Sequence, residues 1–348
     1  MKKLLFTLLA TTLFCTSLSA QEMTKNPINI QAEVRFDYQG DYVDGEAINS
    51  NTGFKGKYLN IILSGNISKS FSYSYRQRLN KAHANQSFFD ATDWVYLTYT
   101  TPNQHWSFSG GKQVVGIGGY EYDRAPIDLY FCSEYWNNIA CYQFGVSATY
   151  ATTDGRDKIM AQVCQSPFRA ADTKNMFAYN LMWFGSHNWF NSIYSLNMME
   201  YMPGEFVYYV TLGNEFLFGR NAKLQLDVMN RAVEGHSFLF KDFSVMGEFA
   251  YNIKDRVNLF AKATYDVNNS DVAGDMCVLP GTDITRVGAG LEFYPLKNSR
   301  SVRLHATYCH TFGENGNPAG ALLPEQQLFS VGLKWKIDIV SLTKKIVK

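Results

Sequence analysis

Arg76 and Arg78, in the run FSYSYRQRLN, are two basic side chains two residues apart on a segment that reads as extended, so both point to the same side. The run GGYEYDRAPID packs Glu121, Asp123, Arg124 and Asp128 into one short stretch. Guanidinium groups hold anionic oxygens through charge-assisted hydrogen bonds, and opposed rings or clamps of charge sort ions in a pore. With Arg35 on a nearby segment, Arg76 and Arg78 set against the acidic stretch would place an electric field across a constriction. The bland reading is that these arginines pair with Glu33, Asp37 or the acids of the stretch and brace a wall.

Other chemistry finds less support. The histidines are scattered without HxxxH or HxH spacing, so no metal and no cofactor is called for. His83, His236 and His310 have no recognisable Ser or Asp constellation, which argues against a hydrolase. Beyond Cys15, the cysteines are Cys132, Cys141, Cys164, Cys277 and Cys309. An odd number with no CxxC pair argues against a disulfide scaffold and leaves a Cys132–Cys141 bridge open. A formal net charge of +1 gives no bulk attraction to nucleic acid.

The elements that carry these side chains are strands. In FSVGLKWKIDI, Phe329, Val331, Leu333, Trp335, Ile337 and Ile339 share one face, and Ser330, Gly332, Lys334, Lys336 and Asp338 share the other. The same alternation recurs in INIQAEVRFDY, AKLQLDVMNR, RVNLFAKATYD and TRVGAGLEFY. About sixteen such segments are predicted, near the roughly 9–11 residues of a tilted membrane strand. They cover 28–38, 54–66, 70–80, 92–100, 105–113, 141–150, 157–165, 176–185, 189–198, 206–218, 222–231, 241–252, 256–266, 285–294, 301–311 and 327–340. No helical period of 3.6 emerges after the first residues. Mean hydropathy is −0.21, but that scale is blind to barrels, whose polar lumen dilutes every strand. Aromatic residues reach 15%, enough for girdles at two membrane interfaces.

The opening MKKLLFTLLATTLFCTSLSAQ has a basic start, a short apolar run and small residues before Gln21, which predicts a signal peptide over 1–20 and a barrel domain over 21–348. The connectors alternate. NISKS, TPNQH, FGRN and IKDR are short, while the intervening ones, such as QGDYVDGEAINSNTG, are mostly long. This is the pattern of short periplasmic turns and long extracellular loops in an all-β transmembrane antiparallel barrel. A secreted β-sandwich is the competing fold. The longest interruption, Val114–Ala140, is too apolar to stay in water and is expected to fold inward as the third long loop, narrowing the lumen. Its Gly116, Gly118 and Gly119 would allow a sharp reversal. Strand parity puts eleven basic residues in the lumen: Arg35, Arg76, Arg78, Lys158, Lys223, Arg231, Lys262, Arg286, Arg303, Lys334 and Lys336. Eight acids join them: Glu33, Asp37, Glu215, Asp227, Glu248, Asp266, Glu292 and Asp338. The inward loop is net acidic, so the interior is near neutral and composition alone dictates no strong selectivity.

A barrel of this layout resembles the general trimeric porins. The run SFSGGKQVVGIGGYEYD, with Gly-Lys at a strand end and a Gly-rich stretch leading to Glu-Tyr-Asp, resembles the phosphate-selective porin O and P family in its Bacteroidetes-type variant. The motif covers about Ser107–Tyr130, and the layout covers the mature chain. The resemblance implies an outer-membrane porin for passive diffusion of small hydrophilic solutes or ions, in contact with outer-membrane lipid, and a homotrimer. The family's ladder of lumenal basic residues does not map position by position onto this chain, so phosphate selectivity is not carried over. Anion preference rests on Arg76 and Arg78. The alternative is a non-conducting barrel serving secretion or assembly.

Overall fold

The computed structural model describes residues 27–81, 88–170, 175–236, 239–270 and 272–340, with the side chain of Phe88 excluded. The predicted signal peptide and His83 lie outside the described residues. Among the described residues seventeen strands form one antiparallel sheet. They are β1 (Asn29–Val43), β2 (Glu46–Ala47), β3 (Gly53–Asn66), β4 (Phe71–Arg78), β5 (Thr92–Thr100), β6 (Trp106–Val114), β7 (Tyr142–Ala151), β8 (Asp157–Gln165) and β9 (Phe177–His187). β10 (Phe190–Met202), β11 (Glu205–Phe218), β12 (Ala222–Val233), β13 (Asp242–Ile253), β14 (Val257–Asn268), β15 (Asp283–Phe293), β16 (Val302–Glu314) and β17 (Gln326–Asp338) follow. β2 is a two-residue rung in the first loop. The other sixteen strands are sequential neighbours, and β1 pairs with both β3 and β17, so the sheet closes into a barrel. Each of the sixteen segments expected from alternation corresponds to one of these strands.

Closure is exact to the residue: Arg35 sits opposite Lys334 and Phe36 opposite Leu333. Side-chain parity then does the sorting. Phe108, Val146, Leu181, Leu196, Leu212, Leu259, Leu304 and Val331 stand exposed on the outside. Ser330, Arg35, Asp37, Thr211 and Lys262 are buried on the inside. Outward aromatic pairs gather near both rims, with Trp106–Tyr150 and Trp189–Phe216 at the turn end and Tyr38–Phe54 and Phe243–Tyr265 at the loop end. Among the described residues no helix is long and apolar enough to cross a membrane; strands with a lipid-facing and a water-facing side do so instead. A hollow of about 1020 Å³ lies outside the barrel, where Gly110, Ala148 and Ala161 leave the surface low between Phe108, Val163 and Leu181. It faces hydrocarbon and takes no part in the passage.

The segment between β6 and β7 lies within the barrel. It makes one helical turn at Tyr120–Asp123, a 3-10 turn at Pro126–Asp128 and a second short helix at Glu134–Asn138. Its Val115, Ile117, Tyr122, Tyr135 and Ile139 pack with lumenal Cys164, Ala178, Met199, Val207, Tyr209 and Met229 into a hydrophobic core inside the barrel. Two further loops join it: Cys277 and Val278 belong to the same core, and the Leu322 N–H donates to Glu134 Oε2 at 3.0 Å. The lumen is therefore lined by polar groups on one side and filled by a folded core on the other. Cys132, Cys141, Cys164, Cys277 and Cys309 are all free thiols, which closes the Cys132–Cys141 question in favour of no bridge.

Candidate functional site: the narrowed lumen

The inward loop is held by strand carboxylates that cap its short helices. Asp227 on β12 accepts from the Tyr120 and Glu121 N–H groups at 2.9 and 2.8 Å. Asp266 on β14 accepts from Glu134 N–H at 2.8 Å and from the Ser244 hydroxyl. Both turns present their orphaned amides to a carboxylate, as a helix start requires. Upstream, Gly116 N–H donates to Gln162 Oε1 at 2.7 Å and Gly118 N–H to Ser195 Oγ at 2.8 Å. The glycines act mainly through close approach. A Cβ on Gly118 would meet the Ile193 carbonyl oxygen at 2.7 Å, and one on Gly213 would meet Gly119 Cα at 2.7 Å. Of the three loop glycines, Gly119 alone has positive φ, at 98°.

The expected constriction residues divide between two tasks. Arg35 donates to Asp37 and to the Ile127 and Leu129 carbonyls, at 3.2 and 2.5 Å, so it braces the loop. Glu121 turns to Lys262 at 2.6 Å and receives the Ser133 hydroxyl. Asp128 turns to Lys334 and Arg303, at 2.6 and 2.7 Å. Burial pushes the Asp128 carboxyl up, but Lys334 and Arg303 outweigh it and hold the group below the ordinary carboxylate range. Arg124 makes a forked contact with Glu248, at 2.7 and 2.8 Å. The structure thus brings the loop acids Glu121 and Asp128 against β14, β16 and β17, and does not set them opposite Arg76 and Arg78.

Arg76 and Arg78 stand on the other wall. Both reach Asp93, at 3.0 and 3.3 Å, and Lys81 reaches the same carboxylate at 2.9 Å. Three cations share one acid, which leaves a surplus of two positive charges. Arg76 lies 3.7 Å over the Trp94 ring and also donates to the Tyr142 hydroxyl. Lys57, on β3, is held by the neutral Gln39 side chain at 2.6 Å. Asp123 is exposed to the lumen on the same side as Arg76, and partial burial raises its carboxyl above the usual range.

Three adjoining hollows run from the loop end past this wall to β12–β16 at the turn end. One of about 240 Å³ opens toward the long loops between Lys57, Tyr58, Trp136 and Arg286. It shares Pro126 and Trp136 with a hollow of about 400 Å³ that contains Arg76, Trp94, Asp123 and Tyr142. That one shares Arg124 with a hollow of about 260 Å³ reaching Lys223 and Arg300 at the turn end. Sequence reasoning missed Lys57, Lys81 and Asp93, because parity was applied only inside strands and two of these sit at strand edges or in a loop. It also missed the lumenal core. The signal was there: alternation is blurred in 189–198, and in β9 both faces are apolar, as for a strand buried on both sides.

Residues 28–187 of the chain match the family model described as phosphate-selective porin O and P. No curated protein sequence matches the chain. Among solved structures, an anion-selective porin from Comamonas acidovorans is similar with a TM-score of 0.63 and 11% identity, covering 89% of this chain and 99% of that one. OmpT, an outer membrane protein of Vibrio cholerae in its trimer form, is similar with a TM-score of 0.61 and 14% identity over 89% and 99%. The outer membrane channel DcaP of Acinetobacter baumannii is similar with a TM-score of 0.60 and 11% identity over 92% and 100%. At such identities the likeness is one of fold.

Proposed function

We propose that the chain is a member of the phosphate-selective porin O and P family, whose model its residues 28–187 match, and that it is a weakly anion-preferring porin whose preference comes from the wall around Asp93. As a porin of the outer membrane, it is a water-filled channel for passive diffusion of small hydrophilic solutes and ions. The observation that carries the ion preference is the sharing of one carboxylate by Arg76, Arg78 and Lys81 beside the open passage. Glu121 and Asp128, meanwhile, are neutralised on the far wall. Fixed charges beside a narrow aqueous path set which ion enters. In this reading Asp123 and Arg124 complete the constriction, while Arg35, Glu121 and Asp128 fix the loop that forms it. The reading assigns the chain no catalysis. The trimer form of the similar OmpT supports a homotrimer here.

Planar-bilayer recording in a salt gradient tests the proposal. Replacing Arg76 and Arg78 together by glutamine is expected to move the reversal potential toward cations. An unchanged potential would reduce both arginines to wall braces. A protein that inserts yet carries no current would favour a secretion or assembly role instead.

A further inference from the structure

We propose that the hollow of about 400 Å³ beside the inward loop is a binding site for a neutral hydroxylated ring, a mono- or disaccharide, held during its passage. The proposal rests on the porin reading and goes beyond its ion preference. Five half-buried rings, Trp94, Tyr96, Trp136, Tyr142 and Phe184, line this hollow, with Met160 and Met182 completing its apolar wall. Its volume falls in the roughly 300–1,000 Å³ range of small-molecule sites, which combine apolar walls with a few placed polar groups. The charged groups here are Arg76, Asp123 and Arg124, the last already engaged by Glu248 and Gln225. Arg76 is fixed by Asp93, Tyr142 and the Trp94 face, yet its Nη1 has no hydrogen-bond partner among the described residues. Asp123 is exposed to the hollow, and its carboxylate has no ion-pair or hydrogen-bond partner among the described residues. The free Nη1 donor of Arg76 and the acceptor pair of Asp123, of opposite charge, suit a hydroxyl, which both donates and accepts. A bare anion would gain from Arg76 but meet Asp123. The flat C–H face of a sugar ring matches the aromatic surfaces, and its hydroxyl edge matches Arg76 and Asp123.

The test is single-channel recording of the wild-type protein with maltose added to one side, compared with a size-matched poly(ethylene glycol) and with benzoate. A saturable maltose block that the polymer does not reproduce supports the site. Trp94→Leu is expected to weaken that block roughly two- to tenfold, with Trp94→Phe retaining most of it. Asp123→Asn, a change at an exposed side chain, is expected to weaken it as well. An intact ion current with only linear, polymer-like reduction by maltose overturns the sugar site alone. Saturable block by benzoate without block by maltose overturns it in favour of ring-bearing anions. Absence of any ion current overturns the porin reading and the sugar site together.

Discussion

Asp93 holds three cations with one carboxylate, and it is itself fully buried. Removing one partner of a buried pair leaves the other charge uncompensated, at a cost of roughly 3–5 kcal/mol. Asp93→Asn is therefore expected to lower the thermal unfolding temperature in detergent and, in channels that still form, to strengthen anion preference. Unaltered stability would show that solvent already screens Arg76. Asp123 gives a second expectation. Burial raises its carboxyl, so on acidification from neutral toward about pH 4 it takes up a proton before an ordinary aspartate does. That removes a negative charge from the passage while Asp128, held low by Lys334 and Arg303 against its burial, stays ionised. Reversal potentials should shift toward anions over that range, and Asp123→Asn should show no such step.

At the level of elements, the inward loop is a small folded unit clamped to half of the barrel wall. Gly213→Ala would place a methyl group 2.7 Å from Gly119 Cα and 2.9 Å from the Ile193 carbonyl oxygen, so the loop must lift. The expected result is a larger or flickering conductance with the barrel intact. Asp227→Ala orphans the Tyr120 and Glu121 amides, each costing roughly 1–3 kcal/mol, and should act in the same direction. Steady wild-type conductance in both variants would show that the loop does not set the pore. The strands themselves were legible in the sequence, because a two-residue period with lipid on one side leaves one register open to segments such as Phe329–Ile339. The inward loop was legible from its apolar excess. Its partners were not, because pairings such as Asp266 with Glu134 and Lys262 with Glu121 bring together residues far apart in the chain. Alternation says which way a side chain points and is silent on what it meets. For the same reason Arg35, Arg76 and Arg78 read as one group, whereas Arg35 reaches the loop carbonyls of Ile127 and Leu129 and the other two reach Asp93.

Over the whole molecule, hydrocarbon and water fix the register together. Sliding β17 by one residue would turn Lys334 and Lys336 outward, at roughly 2–4 kcal/mol for each basic residue near the bilayer midplane, and would break the Lys334–Asp128 contact that ties barrel to loop. Charge replacement on the outer face, such as Leu181→Lys or Leu259→Lys, is expected to impair folding into bilayers by a similar amount. The same change at lumenal Ser72 should be tolerated. The barrel interior is divided: a packed core of loop and strands beneath β8 to β12, and open hollows along β4 to β9 and, at the turn end, along β12 to β16. Cysteine accessibility during recording tests this division most directly. In a Cys141→Ser background, a charged water-soluble thiol reagent should cut the current through Ser109→Cys, which lines the path, and leave that through Ser244→Cys, which is sealed behind the loop. Block at position 244 with none at 109 would contradict the placement of the channel.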